Sequence, residues 1–235
     1  NHTIKINQKV IYFNNSKETL THILLHDWAN SYSDKETPLA KRFAEDYKRN
    51  FHYANDFERG FTKIDSIKDK SNHFLIWNRY KNIQDILDVN LNEPLKPNCG
   101  TQINFSYLVK LPDVKFTGNG YTNEKNYNLR YWYLVPAVYD KKWEVYSNKD
   151  LGDFYAPLAS YNIKFKIPQN YSLTSGIAQV GPISDDDSIS LYGNNQREIK
   201  LYIQKTSDFY SLKTNEFELV TNIEANKVEG SKKLE

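Results

Sequence analysis

The stretch "LTHILLHDW", Leu20 to Trp28, sets His22 and His26 four residues apart. On a helix that spacing brings two imidazoles to about 5–6 Å at Cβ, close enough to share one zinc ion. On a strand, at roughly 3.3 Å per residue, they stand about 13 Å apart on one face, too far for a single ion. The run holds Ile23, Leu24 and Leu25, has no helix cap and follows the turn-like "NNSKE", so it reads as a strand. Ile23 and Leu25 are then expected to face the core, leaving His22 and His26 as ordinary residues of the outer or half-exposed face.

Other reactive constellations are equally sparse. None of His2, His22, His26, His52 or His73 is followed by Glu, so the zinc-hydrolase pattern His-Glu-x-x-His is absent, as are Gly-x-Ser-x-Gly and the phosphate-binding glycine loops. Cys99 sits beside Gly100 at a predicted strand start with no histidine placed to activate it, and is expected to be a small half-buried residue. The acids of "SDDDS", Asp185, Asp186 and Asp187, are consecutive and point in different directions, which suits a solvated turn better than a calcium loop. Asn14-Asn15-Ser16 and Asn170-Tyr171-Ser172 match the glycosylation triplet, a pattern short enough to arise by chance. The run "RYWYLVPAVYD" is aromatic on both faces, through Tyr131, Trp132, Tyr133 and Tyr139, and suits either a ligand-facing surface or a strand packed on both sides.

These residues must be positioned by strands. "TQINFSYLVKL" puts Ile103, Phe105, Tyr107, Val109 and Leu111 on one face, and "SYNIKFKIP" does the same with Tyr161, Ile163, Phe165 and Ile167 against Asn162, Lys164 and Lys166. "REIKLYIQK" alternates through Ile199, Leu201 and Ile203, and shorter candidates are "TIKI", "FTKIDSI", "HFLIWN", "ILDVNL" and "YNLRYWYLV". The 18 Tyr, 12 Phe and 4 Trp favour such half-buried pleated surfaces. One segment differs: in "TPLAKRFAEDYKRNF", Thr37 is a predicted N-cap, Pro38 takes the first helical position, and Leu39, Phe43, Tyr47 and Phe51 recur every four residues. The expected fold is an all-β, saddle-like antiparallel β-sandwich with one short inserted helix over about residues 38–51.

With 235 residues, the chain can bury one sizeable core, expected over residues 1–223, followed by an expected linker and cloning scar over 224–235 that ends in Leu234 and Glu235. The net charge of +2, without a polybasic run, speaks against a nucleic-acid or anionic-membrane surface. No apolar run approaches the roughly 20 residues of a membrane span. A single cysteine excludes an internal disulfide and leaves the redox compartment open.

Three stretches together resemble the N-terminal domain of the aminopeptidase N family of zinc metallopeptidases, in its divergent bacterial branch. They are "KETLTHILLHDWANSYSDKETPLAKRFAEDY", then "LVKLPDVKFTGNGY" continuing into "YNLRYWYLVPAVYDKKWEVYSNKDLGDFYAP", and "YNIKFKIPQNYSLTSG". The resemblance implies a non-catalytic β-domain that packs beside a downstream catalytic domain of the same chain and shapes access of peptide substrates to its cleft. It implies zinc held by that downstream domain, with no metal ligand, catalytic residue or cofactor in this segment, and no contact with nucleic acid or membrane. A bacterial periplasmic, cell-envelope or secreted parent is expected. Family members lend a Gln or Glu that holds the substrate amine; matching the family's proline to Pro136 puts Tyr133 at that position, so Tyr131, Trp132 and Tyr133 remain as substrate-rim candidates. The other reading open to the sequence is a free-standing glycan- or protein-binding β-sandwich that uses exposed Tyr and Trp, Trp132 and Trp143 among them, as stacking platforms.

Overall fold

The computed structural model describes residues 2–123, 125–151, 155–179, 188–205, 210–215 and 218–221. The first part of the chain forms β1 (Thr3–Phe13), β2 (Leu20–His26), β3 (Phe61–Asp69), β4 (Trp77–Arg79), β5 (Ile86–Leu95) and β6 (Gly100–Lys110). The middle adds the short strands β7 (Gly120–Tyr121), β8 (Tyr127–Leu129), β9 (Val135–Pro136), β10 (Val138–Asp140) and β11 (Lys142–Glu144). The last part adds β12 (Ala159–Lys166), β13 (Tyr171–Ser175), β14 (Ala178–Gln179), β15 (Ser188–Gln196) and β16 (Leu201–Lys205), and then a hairpin of Tyr210–Lys213 with Glu218–Thr221.

Among the described residues every strand pair is antiparallel, in larger sheets of order β1-β6-β3, β4-β5-β2-β9, β13-β16-β8-β7 and β12-β15-β14 and in the two-stranded β10-β11 and Tyr210–Lys213/Glu218–Thr221 pairs. One continuous core joins the sheets: Ile103, Phe105, Tyr107 and Val109 of β6 meet Ile23 and Leu25 of β2, Leu87 and Val89 of β5, Ile189 and Leu191 of β15, and Leu201 and Ile203 of β16. The fold is therefore the expected all-β sandwich, and the inward sets of β6 and β16 are those given by period-2 alternation. β6 is flanked on both sides, by β1 from Thr3↔Lys110 to Phe13↔Gly100 and by β3 with a bulge between Ile64 and Ser66. The Tyr107 hydroxyl, deep in this core, donates to Gln8 Oε1 at 2.5 Å and accepts from Leu134 N at 3.1 Å, while Gln8 Nε2 donates to the Leu134 carbonyl at 2.7 Å. That closed triangle satisfies the buried polar groups and ties the β1-β6-β3 sheet to the segment leading into β9.

The helical insertion forms but is broken in two. α1 (Pro38–Glu45) begins at Thr37, whose Oγ1 accepts from Ala40 N at 3.2 Å, and α2 (Asn50–Tyr53) follows a turn in which Tyr47 adopts φ 57°. At 100° per residue a four-residue repeat drifts by about 40° at each step, so one helix could not bury Leu39 and Phe51 on the same side. The break resets the phase: Leu39, Phe43 and Phe51 share a small second core with Tyr32 and Phe116, and Tyr47 is left exposed instead of joining them. A 3₁₀ turn at Trp28–Tyr32, wholly buried, links β2 to this insertion.

Three further expectations are corrected. "YNLRYWYLV" is not one strand: β8 ends at Leu129, the chain turns with Tyr131 at φ 55°, and β9 starts at Val135. "HFLIWN" contributes only the start of β4 at Trp77, preceded by a single bridge between Phe74 and Lys68. Cys99 is exposed: it lies in the β5–β6 turn, held through its backbone, with its carbonyl accepting from Asn14 N at 2.9 Å and its amide donating to the Lys96 carbonyl at 3.2 Å. Asp185, Asp186, Asp187 and the proposed boundary at residue 223 lie outside the described residues.

Candidate functional site

β2 is a strand, as its composition required, and His22 and His26 share the face opposite Ile23 and Leu25. His26 is not half-exposed, however; only 1% of its surface reaches solvent. The chain returns more than a hundred residues later and lays Tyr146–Asn148 across the end of β2. Tyr146 N donates to His26 Nε2 at 3.1 Å, and Trp28 Nε1 donates to the Tyr146 carbonyl at 2.8 Å. Because a backbone amide can only donate, His26 must keep Nε2 unprotonated. Burial pulls its pKa down to about 4, against a weaker opposing hydrogen bond with the Val135 backbone. The lone pair that a metal would need is already in use, so the His22/His26 pair does not fit a zinc site. Among the described residues no three His, Cys, Asp or Glu side chains converge as metal ligands.

A chain of buried polar groups continues from this point. Asp27, 1% exposed, accepts from Thr62 Oγ1 at 2.6 Å and from Arg79 Nη1 at 2.7 Å. Burial raises its pKa, and the Arg79 guanidinium and the Thr62 hydroxyl oppose that rise. Asn30 accepts from Thr62 N at 2.9 Å and donates to the Gln84 carbonyl at 2.7 Å. Asp85, fully buried, accepts from Asn148 N at 2.8 Å, and burial pushes its pKa up to about 6. Asn148 Nδ2 in turn donates to Ser31 Oγ at 2.9 Å, which donates to the Trp28 carbonyl at 2.6 Å. The result is a clamp: side chains from β2, the 3₁₀ turn and the β5 approach hold the strap Tyr146–Asn148 in one place. The strap leads away through residues whose apolar side chains stay exposed, namely Tyr146, Leu151, Tyr155 and Leu158.

The rim candidates lie in the irregular turn between β8 and β9, at 9% exposure for Tyr131, 6% for Trp132 and 9% for Tyr133. Trp132 Nε1 donates to the Ile199 carbonyl at 3.2 Å, and the Tyr133 hydroxyl accepts from Ile199 N at 3.0 Å. Tyr131 packs edge-on to Trp28 at 4.6 Å between ring centroids, with the Arg130 guanidinium 4.4 Å above its face. All three are engaged with β16's approach or with the 3₁₀ turn. Beside them a cavity of about 20 Å³, lined by Tyr32, Leu111, Pro112, Leu129 and Tyr131 among others, has room for a water molecule at most. A larger depression of about 450 Å³ opens at the surface between Glu58, Asp113, Lys115, Thr122 and Asn123, where Lys115 pairs with Glu58.

Of the two glycosylation triplets, Asn14 is buried with its amide donating to the Glu18 and Leu95 carbonyls, which makes it a turn-forming residue; Asn170 lies exposed in the β12–β13 turn. Asp27, Asn30, Asp85 and Asn148 escaped the sequence reading. The only local signal was the polar run "HDWANS" directly after an apolar strand, and their partners are distant in the chain.

No protein-family model matches the chain, and no curated protein sequence does either. Among solved structures the chain is similar to the M1 zinc metallopeptidase from Deinococcus radiodurans, with TM-score 0.48 and 11% identity over 89% of this chain and 40% of that one. It is also similar to an aminopeptidase N family protein from Idiomarina loihiensis, with TM-score 0.47 and 9% identity over 92% of this chain and 29% of that one. The chain thus spans 40% or less of the length of these two proteins.

Proposed function

We propose that this chain is a non-catalytic N-terminal β-domain of a zinc metallopeptidase of the aminopeptidase N family, packed against a downstream catalytic domain and shaping access of peptides to its cleft. The observation that carries the reading is the clamped strap with its exposed apolar side chains. Tyr146, Leu151, Tyr155 and Leu158 lie within thirteen positions of one another and face solvent, while Tyr146–Asn148 is held by three hydrogen bonds through its backbone and one through the Asn148 side chain. An apolar row on an anchored backbone suits permanent cover by a second folded unit. The strap and the β2 segment that clamps it both belong to the stretches that resemble the family. On this reading zinc belongs to the catalytic domain, Tyr131, Trp132 and Tyr133 support the rim from below, and the parent works in the periplasm, at the cell envelope or outside the cell.

The encoding gene tests this directly. Its reading frame past Glu235 is expected to encode His-Glu-x-x-His followed by a further Glu ligand, and a frame lacking both overturns the proposal. Purified chain is expected to hold no stoichiometric zinc and to cleave no aminoacyl reporter; one zinc per chain by metal analysis would contradict it.

A further inference from the structure

The sheet β1-β6-β3 has a second face, turned away from the core. Since Ile103, Phe105, Tyr107 and Val109 of β6 point inward, the register turns Lys5, Lys9, Ile11 and Phe13 of β1 outward, together with Lys63 and Lys68 of β3. Lys5 and Lys63 both pair with Leu108, one on each side of β6, and Lys9 and Lys68 both pair with Asn104. With strands about 4.8 Å apart and a rise of about 3.4 Å per residue, the four lysines mark the corners of a rectangle of about 10 by 14 Å. Asn7, Ser106 and Ser66 cross its middle. Even on the central strand, Asn104, Ser106 and Leu108 keep part of their surface in solvent, so no described element seals this face.

The charge on this face is of one sign. Among the described residues none of the four lysines has a carboxylate within salt-bridge distance, whereas Lys41, Lys48, Lys115, Lys142 and Lys200 each do. Asp65, at the bulge of β3, is the one acid among the outward positions. No two of the lysines are adjacent in the chain, so the sequence shows no basic run, and only strand pairing brings them together. The expectation against an anionic-membrane surface rested on such a run, and pairing removes its basis. Apolar side chains share the face. Ile11 and Phe13, 58% and 63% exposed, continue the row of Lys5 and Lys9 along β1; Phe74, 69% exposed, is bridged to Lys68, whose ammonium lies 4.7 Å from the centre of its ring. A hydrophilic polyanion gives these three side chains nothing to bury against. The two phenyl rings stand at opposite edges of the sheet, at least about 14 Å apart, and Ile11 has no ring, so a track of stacked nucleic-acid bases does not match either. Two copies of the face would set lysines against lysines. An anionic bilayer matches both features, since lysines settle on lipid phosphates while neighbouring apolar side chains enter the headgroup boundary.

We infer that the outer face of β1-β6-β3 docks on an anionic lipid bilayer, with Lys5, Lys9, Lys63 and Lys68 on the lipid phosphates and Ile11, Phe13 and Phe74 in the headgroup boundary. This face is independent of the peptidase-domain reading. The test is co-sedimentation of the chain with vesicles of phosphatidylcholine alone and of phosphatidylcholine mixed equally with phosphatidylglycerol. Binding is expected to the anionic vesicles only, and it should weaken as salt rises. The combined Lys5→Gln, Lys9→Gln, Lys63→Gln and Lys68→Gln variant is expected to bind on the order of several hundredfold more weakly, about fivefold per lysine, while Arg at the same four positions preserves binding. Ile11→Ser with Phe74→Ser should weaken it about tenfold. Lys164→Gln with Lys166→Gln, which removes two lysines from β12 instead, should change it by less than about twofold. All these side chains lie outside the core clusters, so the variants are expected to fold. Equal binding to both vesicle types, no binding to the anionic ones, or native affinity in the four-Gln or the two-Ser variant would each overturn the inference. So would tighter binding to heparin or to a single-stranded oligonucleotide than to the anionic vesicles, or self-association of the chain that the four-Gln variant abolishes. Loss of vesicle binding in the longer gene product would assign the face to a downstream domain and overturn it as well.

Discussion

His26 and Asp85 hold the same strap, through Tyr146 N and Asn148 N, yet burial shifts them in opposite directions. For His26 the folded pKa falls from 6.5 to about 4, so the unfolded chain binds the extra proton between those values, and stability drops as pH falls through that window. At 1.36 kcal/mol per tenfold change in proton affinity the contribution at stake is about 3 kcal/mol. For Asp85 the folded pKa rises from 3.8 to about 6, so the folded chain binds the extra proton, and stability drops as pH rises from 3.8 to 6 by about 3 kcal/mol. In the native chain the two nearly cancel between about pH 4 and 6. Conservative variants should separate them, since Asp85→Asn and His26→Gln each retain an oxygen that accepts the strap amide. Urea denaturation in steps from pH 7 to 4 is the assay. Relative to the native chain, Asp85→Asn is expected to lose about 3 kcal/mol more on acidification, and His26→Gln to gain a similar amount. Asp27, whose pKa is also raised by burial, is present in all three proteins. If both variants follow the native pH profile, or if their deviations share one sign, the assignment of opposite proton linkage to the two clamp residues is wrong.

The Asp27–Arg79 pair gives a second expectation: Arg79→Met strands a buried carboxylate, costing about 3–5 kcal/mol at neutral pH by chemical denaturation, and Asp27→Asn on top should recover most of it. Because the folded Asp27 pKa lies above its ordinary value, the Arg79→Met deficit should shrink as pH falls toward 4, and a deficit independent of pH would argue against an unpaired carboxylate as its cause. Gly120 sits at φ 124°, and a Cβ there would come within 1.8 Å of the Pro112 carbonyl oxygen. Gly120→Ala should therefore cost about 3 kcal/mol or more, seen as a large loss of thermal stability. Thr37→Ala removes the α1 cap and should cost about 1 kcal/mol; a neutral result would mean that the second core alone fixes the helix start.

The legible parts of this fold are those governed by short-range periodicity. Strand β6 could be read residue by residue, with Ile103, Phe105, Tyr107 and Val109 inward and Leu111 continuing the pattern just past its end, because side chains alternate on any strand regardless of what lies beside it. Thr37 and Pro38 marked the start of α1 for a similarly local reason, since capping involves only neighbours in the chain. The helix end was less legible: four apolar residues at spacing four looked like one stripe, and the choice to break at Tyr47 depended on burying Phe51 against Tyr32 and Phe116. The candidate site was hardly legible at all. Tyr131, Trp132 and Tyr133 attracted notice as aromatic residues, yet what holds them is the Ile199 backbone and Trp28, contacts between distant segments that no spacing rule encodes.

From its sequence alone this chain was bound to be β-rich, to carry one short helical segment, and to keep His22 and His26 from gripping one metal ion, since strand geometry sets them too far apart. Only the tertiary structure decided that His26 is sealed in while His22 stays partly open beside Trp143. The physical reason is that burial belongs to whatever covers a residue. Here the cover is Tyr146–Asn148 for one histidine and the β10–β11 hairpin for the other, both arriving from more than a hundred residues away. The same return of the chain contributes to the shifted protonation of His26 and Asp85.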